Sequence, residues 1–101
     1  MQWDNTDGWD YRVVSSTGWR NLVSFDAEER AGVYLFADSN LNIKYVGKAG
    51  ARRMGNEVQS AMDRGKARGA MKVRIFYTNS DARALELEKM LIFKYQPPNN
   101  Y

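Results

Sequence analysis

One glutamate in this chain stands where glutamates seldom stand. At about 100° per helical residue, Ala84, Leu85, Leu87, Leu91, Ile92 and Tyr95 define a broad apolar arc, and Arg83, Glu86, Lys89 and Lys94 fall outside it. Glu88 falls within the arc. A carboxylate there is costly unless a cation or strong donor meets it, or unless it takes up a proton. Three readings follow: a buried ion pair to an arginine such as Arg53, a stripe edge that reaches water, or a metal-binding or catalytic carboxylate. Arg53 and Glu57 are four residues apart with Arg64 on the same side, a row that flanks Met54, Val58 and Ala61. That spacing suits an ordinary helix-edge ion pair or a guanidinium reaching into a cleft. Tyr34 and Tyr45 sit in two strand-like runs, where tyrosines usually serve as sheet packing. Gly47 ends the second run; it is either a turn residue or a place where a phosphate approaches the backbone, with Lys48 beside it.

The chemistry open to these residues is narrowed by what is missing. The 101 residues contain no histidine and no cysteine. Thiol catalysis, disulfides and zinc–thiolate sites are excluded, and catalysis must rest on carboxylates, tyrosines, lysines, arginines or a metal. A metal held by carboxylate and water oxygens is magnesium or manganese rather than zinc. The net charge is +3, with a basic middle: Lys44, Lys48, Arg52, Arg53, Arg64, Lys66, Arg68, Lys72 and Arg74 face only Glu57 and Asp63. This strip is either a solvated face or the footprint of an anionic partner such as nucleic acid. No apolar run approaches the roughly 20 residues of a membrane helix, and Met1-Gln2-Trp3-Asp4-Asn5 has no secretory character. No membrane association is expected, and a cytoplasmic location is.

The elements that must position these groups are legible from residue 32 onward. Gly32-Val33-Tyr34-Leu35-Phe36-Ala37 and Ile43-Lys44-Tyr45-Val46-Gly47, joined by the turn residues Asp38 to Asn42, read as an antiparallel hairpin. Residues from about Arg52 to Arg68 suit a helix with Met54, Val58, Ala61 and Met62 as its stripe, and Gly65 and Gly69 at its end. Lys72 to Thr78 alternates like a third strand. Asn79, Ser80 or Asp81 caps a second helix from about Ala82 to Tyr95, which Pro97-Pro98 ends. The expected fold is α+β: a small three-stranded antiparallel sheet flanked by helices, in the order β-β-α-β-α over 32–101. Residues 1–31 form an N-terminal extension packed on that core, with a short strand at Tyr11–Val14 and an Asp26/Glu29 capping box opening a brief helix.

Taken together, Gly32-Val33-Tyr34 and Tyr45-Val46-Gly47 closely resemble the paired signature of the GIY-YIG nucleases, and Tyr45-Val46-Gly47-Lys48-Ala49 is most similar to the branch found in bacterial excision repair. The helix around Glu88 is similar to the family's glutamate helix, and Tyr95 to Asn100 to its closing proline–asparagine segment. The resemblance implies an endonuclease that hydrolyses phosphodiester bonds of nucleic acid, with DNA as the expected partner and one divalent ion, Mg2+ or Mn2+, as cofactor. It implies that Glu88 anchors the metal, that Arg53 stabilises charge on the phosphoryl group, and that Tyr34 is general base, acidified by Lys48 and the metal. Tyr45 would position water or phosphate, and Gly47, Lys48, Arg52 and Asn100 would contact or support the substrate. The segment from Gly47 to the arginines is about two residues shorter than the family's usual spacing, so Arg52 competes with Arg53. Glu57 stands where many relatives have histidine or tyrosine and is expected to orient Arg53 or assist the nucleophile.

Two other readings stay open on sequence grounds. One is a catalytically inactive nucleic-acid-binding module that keeps the basic strip. The other is an interaction domain whose partner surface is built from Trp3, Trp9 and Trp19.

Overall fold

A computed structural model describes all of residues 1–101. Its centre is the expected hairpin. Strand β3 (Gly32–Ala37) pairs antiparallel with β4 (Ile43–Ala49) on one side and with β5 (Lys72–Thr78) on the other. Each β3 residue is buried, because both faces of this strand are covered. Helix α1 (Met54–Asp63) lies on the face carrying Tyr34, Phe36, Val73, Ile75 and Tyr77, into which it drives Met54, Val58 and Ala61. Helix α2 (Asp81–Tyr95) covers the opposite face, packing Ala84, Leu87, Leu91 and Tyr95 on Val33, Leu35, Ile43, Val46 and Phe76. The two clusters follow from the period-two alternation of β3 and β5.

The sheet has more strands than the core pattern alone predicts. The extension contributes β1 (Val13–Ser16) and β2 (Arg20–Asn21), both paired antiparallel with β5, giving the order β1-β5-β3-β4 with β2 beside β1 on β5. The first strand lies slightly later than Tyr11–Val14. No helix forms at 26–30. Glu29 still caps a helix, but another one: its Oε1 accepts the Gly55 N–H at 3.2 Å in the first turn of α1. Trp3 reaches furthest inward, stacked between Phe76 and Tyr95 at centroid distances of 5.5 and 5.6 Å. Trp19 meets its edge at 5.9 Å. A partner surface of three tryptophans is therefore ruled out, since Trp3 is core and only Trp9, 88% exposed, faces solvent.

The helices are set by local chemistry. Ser80 is the N-cap of α2, its hydroxyl accepting the Arg83 N–H, while Gln96 in the left-handed region (φ 44°) ends the helix before Pro97. α1 is shorter than 52–68. Arg52 has φ 68° and cannot begin a helix, and Gly65 at φ 80° closes it. Leu85, expected in the apolar arc of α2, lies past its edge and is 38% exposed. No helix is long and apolar enough to cross a membrane.

Candidate active site

Tyr34 leaves the middle of β3 on the α1 side and lies across β4 at Gly47, its pairing partner. A Cβ at Gly47 would come within 2.4 Å of the Tyr34 hydroxyl, so only glycine lets the phenol cross to the sheet edge. There the hydroxyl donates a long, 3.4 Å hydrogen bond to the Glu57 carbonyl in α1. Tyr45 lies beside it, with ring centroids 6.1 Å apart. The two tyrosines are thus brought together on one face. Burial pushes the Tyr34 phenol up; the neighbouring Tyr45 and Glu57 push the same way, and Arg64 opposes them. Lys48 does not act on Tyr34, contrary to the expectation from sequence. The reason is its position: side chains alternate along β4, and Lys48 projects to the other face.

That other face holds Glu88. Its carboxylate is half-buried and makes no ion pair and no hydrogen bond with the protein. Burial raises its affinity for a proton, and Lys48 is the leading influence in the opposite direction, followed by Lys89. The buried ion pair to Arg53 does not form. Arg53, the N-cap residue of α1, instead pairs with Glu57 at 3.1 Å and its side chain is 67% exposed. Arg52 is exposed, and its N–H donates to the Glu29 carbonyl. Tyr34 and Glu88 therefore start from opposite faces of the sheet and converge only at Gly47 and Lys48, adjacent residues of the outer strand. A shared enclosed pocket is not found: the four concavities of the surface contain none of Tyr34, Tyr45, Arg53 and Glu88. Arg53 is exposed and Tyr45 and Glu88 reach the surface in part, whereas the Tyr34 ring is buried, 1% exposed, behind the β4 edge.

Asn100 holds that edge in place. Its Oδ1 accepts the Val46 N–H and its Nδ2 donates to the Val46 carbonyl, each at 2.9 Å. Both ends of the amide are thus engaged by the strand between Tyr45 and Gly47. Asn99, which sequence reasoning passed over, is buried and donates from Nδ2 to the carbonyls of Lys66 and Arg68. It ties the loop after α1 to the chain end. The available signal was an asparagine placed directly after a proline pair.

Residues 30–101 match the family model described as the UvrC-like GIY-YIG domain. The chain belongs to this GIY-YIG family. UvrABC system protein C of Rickettsia rickettsii is 40% identical over 80 residues, covering 74% of this chain and 12% of that protein. Its counterpart in Rickettsia bellii is 38% identical, with coverages of 74% and 13%. The chain thus spans about an eighth of the length of these relatives. Among solved structures, the GIY-YIG N-terminal endonuclease domain of UvrC from Thermotoga maritima, bound to its catalytic divalent cation magnesium, is similar at TM-score 0.64 and 28% identity over 74% of this chain and 88% of that one. An asparagine-to-alanine point mutant of that domain, also cation-bound, is similar at TM-score 0.62 and 28% identity, with coverages of 72% and 84%. The GIY-YIG assignment covers the hairpin, both helices and the Asn100 clamp, and leaves β1, β2 and Trp9 outside it.

Proposed function

We propose that this chain is a metal-dependent endonuclease that hydrolyses phosphodiester bonds of DNA, with its reaction centre at the β4 edge between Tyr34 and Glu88. One observation carries the reading. Glu88 is a half-buried carboxylate on an apolar helix face that has no protein partner. A side chain kept there at a cost to folding has its partner in something that binds.

The donor set fits one hard divalent cation. No group of three or more acidic, histidine or cysteine side chains gathers anywhere in the chain. A cation at Glu88 would therefore take its remaining ligands from water and phosphate oxygens, which suits magnesium or manganese. When bound, such an ion supplies Lewis-acid stabilisation of charge on the phosphate. The neighbour described with catalytic magnesium supports the same class of ion.

The protein's own groups do the rest. Arg53 is exposed and tethered only by one surface ion pair, so it is free to turn its guanidinium onto a phosphate and stabilise charge there. Glu57 keeps Arg53 close until substrate arrives. Lys48, next to Glu88, binds a second phosphate oxygen. Tyr34 orients the attacking water, and the phenolate needed for general-base work is scarce while burial, Tyr45 and Glu57 hold the proton on. Tyr45 flanks the water site, and Asn100 holds Tyr45 and Gly47 in register through Val46. The lack of an enclosed pocket suits a polymer laid along an edge. The test is plasmid nicking in magnesium or manganese with wild type and Glu88→Ala. Loss of nicking with retained fold supports the reading. Equal nicking by both discards it, and binding without turnover by wild type makes the chain an inactive binding module.

A further inference from the structure

We infer that the N-terminal extension carries a separate binding site for single-stranded nucleic acid, in which Arg74 takes a backbone phosphate and Trp9 stacks on the adjoining base. The inference rests on the nuclease reading for its choice of polymer and on different residues for its geometry.

Arg74 is the starting point. It projects from β5 on the α2 face and lies over the rings of Phe76 and Trp3, 4.8 and 5.6 Å from their centroids. Its Nε donates to the Thr17 carbonyl at 3.0 Å. The two terminal nitrogens have no acceptor in the protein, and no carboxylate pairs with them. Burial makes the charge costly; the two ring faces and the Thr17 carbonyl offset part of that cost, and no anion in the chain meets it. The extension has aspartates nearby in sequence, but each is engaged elsewhere. Asp4 and Asp7 hold Lys94 at 3.0 and 2.9 Å, and Asp10 holds Arg12 at 2.8 Å. A half-buried guanidinium is thus left over among acids that are all spoken for.

What surrounds it decides the ligand. Arg74 lines a concavity with Asn5, Gly8, Trp9 and Ser16. The side chains of Asn5 and Ser16 have no hydrogen-bond partner in the protein, so donors are available around the guanidinium. Gly8 lies alongside, and a Cβ there would make only an ordinary contact, 3.7 Å from an Arg74 terminal nitrogen. Trp9 forms the wall and is 88% exposed, a large apolar ring held out in water by a short 3-10 turn. Terminal guanidinium nitrogens beside neutral donors select a phosphate. An exposed indole beside that phosphate selects an unpaired base, whose face is free to stack. A duplex hides its base faces and does not use Trp9. The site is distinct from the β4 edge: Arg74 pairs with Leu35 and Leu35 with Val46, so two strand spacings of about 4.8 Å each separate it from β4.

The test is fluorescence anisotropy of labelled oligothymidylate and of a duplex of equal length, in EDTA so that cleavage plays no part. Trp9→Ala changes an exposed side chain, and it is expected to weaken single-strand binding about tenfold while leaving the duplex within about twofold. Arg74→Gln is expected to weaken the single strand and lower its salt slope by about one, with part of the affinity restored in Arg74→Lys. Single-strand binding by Trp9→Ala equal to wild type overturns the inference, as does no single-strand binding by wild type. Displacement by inorganic phosphate as effective as by oligothymidylate also overturns it, since that describes an anion site alone. Nicking in magnesium by wild type and Glu88→Ala is read separately, so either site can fail without the other.

Discussion

Replacing Glu88 by glutamine separates a functional carboxylate from a structural one, because the two make opposite stability predictions. The side chain has no ion pair or hydrogen bond to lose, and glutamine keeps its volume. Burial raises its pKa, so the folded chain binds that proton more tightly than the unfolded one. By linkage, the metal-free fold gains stability as pH falls through the raised folded pKa and lacks that gain at neutral pH. Glu88→Gln removes the cost, and the metal-free variant should be at least as stable as wild type at neutral pH. Breaking a buried ion pair would instead cost about 3–5 kcal/mol. For a domain of this size 1 kcal/mol moves Tm by about 4–8 °C. The assay is thermal unfolding at neutral pH in EDTA and then in magnesium. At ten times its dissociation constant magnesium should stabilise wild type by about 1.4 kcal/mol and the glutamine variant not at all. A variant that melts about 10 °C lower in EDTA, or that gains as much from magnesium as wild type does, would refute the assignment of Glu88.

Four further outcomes are expected. Gly47→Ala forces its methyl into the Tyr34 phenol, so we expect about 1–3 kcal/mol of destabilisation in urea melts and about a hundredfold loss of nicking. Asn100→Ala frees both backbone groups of Val46 and should cost about 1–3 kcal/mol, with nicking lowered and magnesium stabilisation kept. Arg53→Ala should lose about 10²–10³ in turnover while changing stability by no more than about 0.5 kcal/mol; if Arg52→Ala is the crippling change, the assignment across the shortened loop is wrong. The rate should fall as pH drops through the raised Glu88 pKa, and more magnesium should move that acid limb to lower pH, because proton and cation compete for one carboxylate; an acid limb indifferent to magnesium would count against it.

The parts legible in the sequence were those where one local rule dominates. Helical phase singled out Glu88 before any neighbour was known, and its burial without a partner is what phase implies when no cation is built to meet it. Alternation in β3 and β5 placed Tyr34 and Leu35 on opposite faces, and the core follows. The failures share a different origin. An ion pair between Arg53 and Glu88 was one of the three readings open on phase alone, yet Arg53 stands at the start of a helix on the other face, a relation that only the tertiary fold sets. Lys48 was expected to act on Tyr34, although one residue of strand separates the two faces. The Asp26/Glu29 capping box fails, because no helix forms at 26–30; the Glu29 carboxylate instead meets the first turn of α1. Residues 1–31 were the least readable because their strands are short and exposed, with the pattern ieee in β1, and β5 rather than periodicity holds them.

The two edges of the sheet are treated differently, and that asymmetry bears on function. An edge strand displays unpaired backbone groups that invite another strand. On the β5 side, β1 and β2 cover the edge. On the β4 side, the chain leaves α2 through a left-handed Gln96, turns at Pro97, and brings Asn100 back to occupy both backbone groups of Val46. This blocks strand addition at one residue while leaving Lys48 exposed. The phenol reaches Gly47 from beneath, and the carboxylate is felt at Lys48 from above. A site for a small molecule would close around its ligand. A site open along an edge, locked against strand pairing and flanked by an unsatisfied carboxylate, is shaped for the backbone of a long polymer.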